Sequence, residues 1–134
     1  IRDRGIIDRA RELFGLKQPR LVELPDRVVP VVVDKLQVHT ARLSPDTNEK
    51  IIIVTTSAGA LEELSRIDDA VQLTSPTARP VTFVPVGRTE EPVLDPKYGW
   101  IIPVTRETAA EFAGLAKGPG AHELSTLHLG LVLE

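Results

Sequence analysis

Ile6, Ile7, Ala10, Leu13 and Phe14 recur with a helical period, and Arg4, Asp8, Arg9, Arg11 and Glu12 fill the remaining positions. With Asp3 as N-cap and Gly15 as the left-handed residue beyond the C-terminus, the pattern predicts an amphipathic helix over about residues 4–14. A helix of that length is below the roughly 12 to 15 residues needed for marginal stability alone, so its apolar stripe must dock on something. Pro19, Pro25 and Pro30 then punctuate an apolar stretch containing Leu21, Val22, Leu24, Val28 and Val29. Each proline fixes φ and extends its predecessor, while the side chains are too apolar to be left in water, so this is an ordered, extended arm laid across a surface. Pro30 interrupts a run of valines otherwise suited to a central strand, which predicts edge entry into a sheet or a ladder that begins only at Val31.

Downstream the period falls to two. Val31 to Thr40 alternates but changes character near Asp34, predicting a bulge or bend there. The turn-rich Ser44 to Lys50 and the β-branched run "IIIVTT" predict a hairpin between residues 36–43 and 50–56. Ser57 is expected to cap a short helix bearing Leu61, Leu64 and Ile67, and Thr108 a second one with Phe112 and Leu115, stopped by Gly118. "AVQLTS", "PVTFVPVG" and "WIIPVT" read as strands, the last two separated by the turn-rich loop 87–100. Leu124, Leu127, Leu129, Leu131 and Leu133 close the chain by alternation with an irregularity near Ser125 and Thr126. No internal repeat and no low-complexity tract is visible.

Several short strands with turn signals and no regular β-α alternation predict a mainly β fold: an antiparallel β-sandwich or barrel with short helices, preceded by the N-terminal helix and arm. The alternative is an α+β domain in which the two helices cover one sheet. The division expected is residues 1–33 as helix and arm and 34–134 as a β-rich body.

Composition narrows the function. At 134 residues with 42% apolar content, one hydrophobic core is within reach, and no apolar run approaches the roughly 20 residues that span a bilayer, which predicts a soluble protein. No signal-type segment is visible. A chain beginning at Ile1 rather than methionine is expected to have lost a short leader or beginning. The absence of cysteine excludes disulfides, Cys-ligated zinc and thiol nucleophiles. A net charge of −3 argues against nucleic-acid binding, which needs a basic face. Charge is uneven: residues 1–27 hold seven basic and five acidic groups, the remainder nine basic and fourteen acidic. That asymmetry would let the N-terminal part of one copy approach the body of another, although ordinary surface scatter gives the same figures.

Catalytic signatures are missing. His122 and His128 stand about 20 Å apart on an extended chain, too far to chelate one metal unaided, and His39 is remote in sequence. The adjacent acids Glu62-Glu63, Asp68-Asp69 and Glu90-Glu91 diverge in either a strand or a helix, so none forms a convergent pair. "TTSAGA" (Thr55 to Ala60) looks like an anion cradle at a helix start but is neither G-x-S-x-G nor a P-loop, and capping by Ser57 is the plainer reading. Tyr98 and Trp100 offer an interface anchor, against the commoner outcome of a core tryptophan.

The helix "RGIIDRARELFGL", the arm "LVELPDRVVPVVV" and a β-rich body together resemble, in layout, small structural proteins of tailed-phage virions, of the capsid cement or decoration type. The resemblance implies a non-enzymatic, symmetric oligomer gripping a shell through extended termini, located in the virion; without it, a cytoplasmic location is expected. The resulting expectation is an assembly protein, not an enzyme, that associates with itself and with a protein scaffold such as a capsid shell, with no cofactor, metal, nucleic acid or membrane. Its interface residues are predicted as Ile6, Ile7, Leu13, Phe14, Leu21, Leu24, Val28, Val29, Pro30, Tyr98 and Trp100, with the arm packing on another chain. The alternative is a small-ligand or carbohydrate-binding β-sandwich using the 87–100 loop.

Overall fold

The β-branched runs pair into two sheets in the computed structural model, which describes residues 21–46 and 49–134. One sheet has the order β1 (Val28–Val32), β4 (Ala70–Ser75), β5 (Ala78–Pro85), β7 (Gly99–Val104) and β6 (Val93–Asp95). The other has the order β2 (Leu36–Arg42), β3 (Lys50–Thr56), β9 (Leu129–Leu133) and β8 (Gly120–Glu123). Two short helices, α1 (Ala60–Ser65) and α2 (Arg106–Gly114), follow β3 and β7. The chain is mainly β, as the pattern predicts. Both sheets are mixed, because β1 runs parallel to β4, β5 to β7 and β3 to β9, while the hairpin partners are antiparallel.

The connectivity contains a duplication that the residues conceal. β2-β3-α1-β4-β5 and β6-β7-α2-β8-β9 are each hairpin, helix, hairpin, and each sheet combines the first hairpin of one half with the second of the other. Exchanging the halves exchanges the sheets. Val54 pairs with Leu131 in one sheet, as Ile102 pairs with Phe83 in the other, and all four are fully buried. The central core positions match in burial but not in identity, Val54 with Ile102 and Leu131 with Phe83, and identical residues recur only at scattered positions such as Ile53 and Ile101, which is why the sequence reads as free of repeats.

Both sheets turn one face into a common core. Leu36, Ile52, Val54, Leu129, Leu131 and Leu133 meet Val71, Leu73, Val81, Phe83, Ile102 and Val104 there. Leu61 and Leu64 of α1 and Phe112 of α2 fill the same core. Phe112 meets Phe83 edge to face, with ring centroids 6.0 Å apart. Fully burying one such side chain contributes about 1.5 to 3 kcal/mol, so each helix is held by its core residues rather than by its six or nine residues of helix propensity.

The opposite face of the first sheet carries a second cluster. Val22 is buried there against Ala70, Val84 and Ile101, with Leu24, Val28, Val86 and Val93 packed around them. Residues 21–33 of the arm are therefore engaged on their own body. Val28–Val32 pairs in register with Ala70–Thr74, and Val33 is buried in the common core. Val33 N donates to Thr74 O at 2.9 Å, so the odd-numbered residues of β1 point their N–H groups at β4 and the even-numbered ones point away. Pro30 thus removes a donor that faced outward, which is how a proline sits inside an edge strand at no loss to the ladder. The change of character near Asp34 is the passage from one sheet to the other: Thr56 Oγ1 donates to Lys35 O at 2.9 Å, and Lys35 N donates to Ser57 Oγ at 3.2 Å.

Three local expectations are corrected. Ser57 does not cap α1, whose N-cap is Gly59 without a side-chain bond, because its hydroxyl is used on Lys35. Thr105, not Thr108, caps α2, accepting from Thr108 N at 3.2 Å. The leucine alternation at the C-terminus is a hairpin, β8 and β9, with the irregularity at Ser125 and Thr126 lying in its turn. The helix expected over residues 4–14, and with it Ile6, Ile7, Leu13 and Phe14, lies outside the described residues.

Gly99 fixes the entry to β7. Its φ of +72° is a left-handed conformation, and an added Cβ would stand 2.2 Å from Pro80 O on the neighbouring strand. Gly99→Ala is expected to destabilise by on the order of 2 to 4 kcal/mol, read as a lowered urea midpoint, because both the backbone strain and the clash fall on rigid main chain. A variant within about 0.5 kcal/mol of wild type, the usual range for an unconstrained surface change, would show that β5 and β7 are not locked at this point.

Candidate functional site

Two sheets present four outer strands, and unpaired N–H and C=O groups on an outer strand invite another chain unless something blocks them. β1 is blocked by Pro30. β6 has only three residues and follows Pro92. β8 has four and follows Pro119.

A carboxylate also closes β8. Leu124 N donates inward to Leu129 O, so the N–H of Ser125 faces the outer side, where a further strand would lie. Glu111 of α2 takes that place. Ser125 N and Thr126 N donate to its two carboxylate oxygens at 2.7 and 3.0 Å, and the hydroxyls of both residues donate as well. Thr108 Oγ1 lies 2.9 Å from Thr126 Oγ1 and 3.0 Å from Thr105 Oγ1, tying the carboxylate to the helix cap. Burial pushes the Glu111 carboxyl up, but the hydrogen bonds from Thr126 and Ser125 together outweigh it and hold the group at about 2.

β2 has no such device. It is seven residues long, contains no proline, and no described residue pairs with its outer side. Leu43 N donates to Glu49 O and Ile52 N donates away from β2 to His128 O, so Val38, Thr40 and Arg42 turn their backbone groups outward. Beside this edge lies a cleft of about 330 Å³ lined by Gln37, Val38, Arg79, Leu94 and Trp100, with Gly99 and Pro80 in its wall. Leu94 is 52% exposed and Trp100 half-buried against the core. The cleft is shaped by the β6–β7 turn: Lys97 N and Tyr98 N donate to Asp95 Oδ1 at 2.8 and 2.9 Å. Those two bonds, Tyr98 first, hold the Asp95 carboxyl below its ordinary value.

The predicted interface residues do not converge. Trp100 lines the cleft, but Tyr98 lies outside its lining and places its ring under Lys97 Nζ, 5.2 Å from the centroid. Leu24 and Val28 are half-buried on the first sheet's outer face, whereas Leu21, Val29 and Pro30 are exposed. Leu94 and the edge of β2 were missed from sequence; the signal for the edge was present as a seven-residue strand without proline or lysine inside it. Among the described residues no three histidine or acidic side chains sit close enough to hold a metal. His39 is exposed on β2, and His122 Nε2 is enclosed with no hydrogen-bond partner among the described residues. Ser57 Oγ accepts from Lys35 N. No described helix is long and apolar enough to cross a membrane.

A carboxylate with a depressed pKa stabilises the fold above its unfolded value and loses that contribution as pH falls through the folded one. For Glu111 the window runs from 4.5 down to about 2. Glu111→Gln leaves two donors facing an amide N–H₂ and should cost about 1 kcal/mol at neutral pH. In urea titrations the gap between wild type and variant should close as pH falls through that window; a gap unchanged at acid pH would remove Glu111 as the group responsible.

No protein-family model matches this chain, and a search of curated proteins finds no relative of it.

Proposed function

We propose that the protein is a non-enzymatic assembly module that associates with itself and with a protein scaffold by adding a strand at the outer edge of β2. The observation that carries this reading is the contrast among the four outer strands: three are shortened, proline-bearing or closed by a carboxylate, and the longest has no such block among the described residues. In strand addition the main-chain bonds supply affinity and a neighbouring pocket supplies selectivity. Val38, Thr40 and Arg42 offer the main-chain groups, and the Leu94 and Trp100 cleft beside them accepts an apolar side chain. Two copies fit this edge without electrostatic conflict. An antiparallel pairing of β2 with β2 centred on Thr40 sets Arg42 of one copy opposite Val38 of the other, so no like charges meet. A capsid cement protein, which the layout of the chain resembles, is one member of this class, and sedimentation with purified shells is the assay for it.

The cleft supports a second reading, a small-ligand or carbohydrate site, because Trp100 offers an aromatic face beside the polar groups of Gln37 and Arg79. The two readings separate on one variant. Thr40→Pro removes an outward-facing N–H and leaves the β2–β3 ladder intact, as Pro30 does in β1. Light scattering should show the wild type as a multimer and Thr40→Pro as a monomer of unchanged circular dichroism. A sugar or small ligand that raises the melting temperature of both proteins equally favours the second reading. A variant that associates as well as wild type defeats strand addition.

A further inference from the structure

The outer edge of β2 presents charge as well as main-chain groups. Leu36, Val38, Thr40 and Arg42 share one face of the strand, and Leu36 and Val38 pack into the common core, so Arg42 lies on the inner side of the second sheet. Its register partner on β3 is Lys50, on that same side. Both stand at the end away from α1, toward which β3 runs. On the first sheet, Arg79 lines the cleft of about 330 Å³, whose lining among the described residues contains no acid. All three cations are exposed, and none forms an ion pair among the described residues.

This runs against the average charge of the body, since residues 28–134 hold nine basic and fourteen acidic groups. Like charges directly opposite each other destabilise a strand pair, and Arg42 with Lys50 is such a pair. A carboxylate placed against both relieves that repulsion.

The apolar part of the site is set back from the cations by a fixed spacing. Val38 stands four residues from Arg42, about 13 Å along the strand, and Leu94 and Trp100 line the cleft beside it. In an added antiparallel strand, the residue facing Thr40 has its second neighbour on the N-terminal side facing Arg42 and its second neighbour on the C-terminal side facing Val38. All three turn their side chains to the inner side of the sheet. We propose that the strand taken up at β2 comes from an acidic partner and lies antiparallel, with a carboxylate against Arg42 and Lys50 and, four residues later, an aliphatic residue in the Leu94 and Trp100 cleft. This rests on the strand-addition reading and names the chemistry of the scaffold. A second copy paired about Thr40 sets its Val38 opposite Arg42 and leaves the cations unneutralised, so the acidic segment is the better occupant of the edge.

Trp100 is the single tryptophan of the chain and lines the cleft, so its emission reports occupancy. The probe is a blocked nine-residue peptide of threonines with glutamate third, valine fifth and leucine seventh, titrated into full-length protein at low ionic strength. Replacing the glutamate by lysine should weaken binding about five-fold or more, and added salt should narrow the gap. Exchanging the glutamate and the leucine should weaken it as well, and equal binding of the exchanged peptide would overturn the antiparallel placement. Arg42→Glu combined with Lys50→Glu, at two exposed positions, should reverse the preference so that the lysine peptide binds better. Should that variant fail to fold, Arg42→Gln with Lys50→Gln should bring the two peptides to equal affinity. Equal binding of the glutamate and lysine peptides by wild type, or a preference untouched by these variants, defeats the proposal. Thr40→Pro separates it from the reading beneath it. Peptides that bind wild type equally and are both lost in Thr40→Pro leave strand addition standing and remove the acidic partner. A glutamate preference that survives Thr40→Pro, or no binding of any peptide to wild type, brings down strand addition at this edge and the proposal with it.

Discussion

The parallel pairings of β3 with β9 and of β5 with β7 hold everything else in place. A parallel pair needs a crossover between its strands, and the two differ in length: residues 57–128 separate β3 from β9, whereas only residues 86–98, with β6 among them, separate β5 from β7. Neither half can complete a sheet alone, since each contributes one hairpin to each sheet. Val54 against Leu131 and Ile102 against Phe83 are therefore at once ladder partners and the centre of the common core. The helices follow from the same constraint. α1 and α2 connect a strand of one sheet to a strand of the other, and Leu64 and Phe112 anchor them where the sheets diverge.

Two mixed sheets necessarily leave edges, and the chain treats the edges unequally. The twin edges of β4 and β8 show how the duplication has diverged. β4 is covered by an added strand, β1, held through bonds such as Val33 N to Thr74 O. By register, Ser125 stands where Thr74 stands in the other half, and there the outward N–H donates to the carboxylate of Glu111 and not to an added strand. One edge has been extended and the other closed by a single charged group. The outer face of the first sheet is likewise covered by Val22 and Leu24, while the matching face of the second exposes Gln37 and His39 on the open strand.

Much of the fold is legible in the residues, for identifiable reasons. The β2–β3 hairpin is visible because turn residues and β-branched residues coincide there, and Pro30 is readable as an edge marker because a missing N–H has only one tolerable direction. The caps misled where a hydroxyl had two competing partners: Ser57 faces both a helix start and Lys35, and the backbone of the sheet crossover takes it. The C-terminal leucines change parity between Leu124 and Leu129, which are buried on the same side of a hairpin, so the irregularity near Ser125 and Thr126 is the turn between two strands and not a slip within one. The repeat is invisible because the two halves share connectivity and the burial of their central core positions, Val54 with Ile102 and Leu131 with Phe83, and identity only at scattered positions. Of the candidate site, Trp100 was found by residue type, whereas the β2 edge is a property of pairing and appears only once the partners of every strand are known.

The arm shows how far local sequence carries toward assembly. Ordering an extended segment costs about 1 to 2 kcal/mol for each residue, and apolar burial alone does not return it. Residues 21–33 meet the cost by joining a ladder and covering a sheet face at the same time: Val33 enters the common core, Val31 packs against it, and Val22 and Val28 turn to the outer cluster. Both faces of the arm are thus used by its own body, although Leu21, Val29, Pro30 and Val32 remain exposed. A segment so committed is a poor hand to extend to a partner, because releasing it would uncover Ala70, Val84 and Ile101 and reopen the edge of β4. Among the described residues β2 has nothing to release. Its outward groups are already displayed by a ladder that is complete on the other side, so a strand added there costs the free protein no rearrangement, and preorganisation of this kind is what lets a small contact area bind.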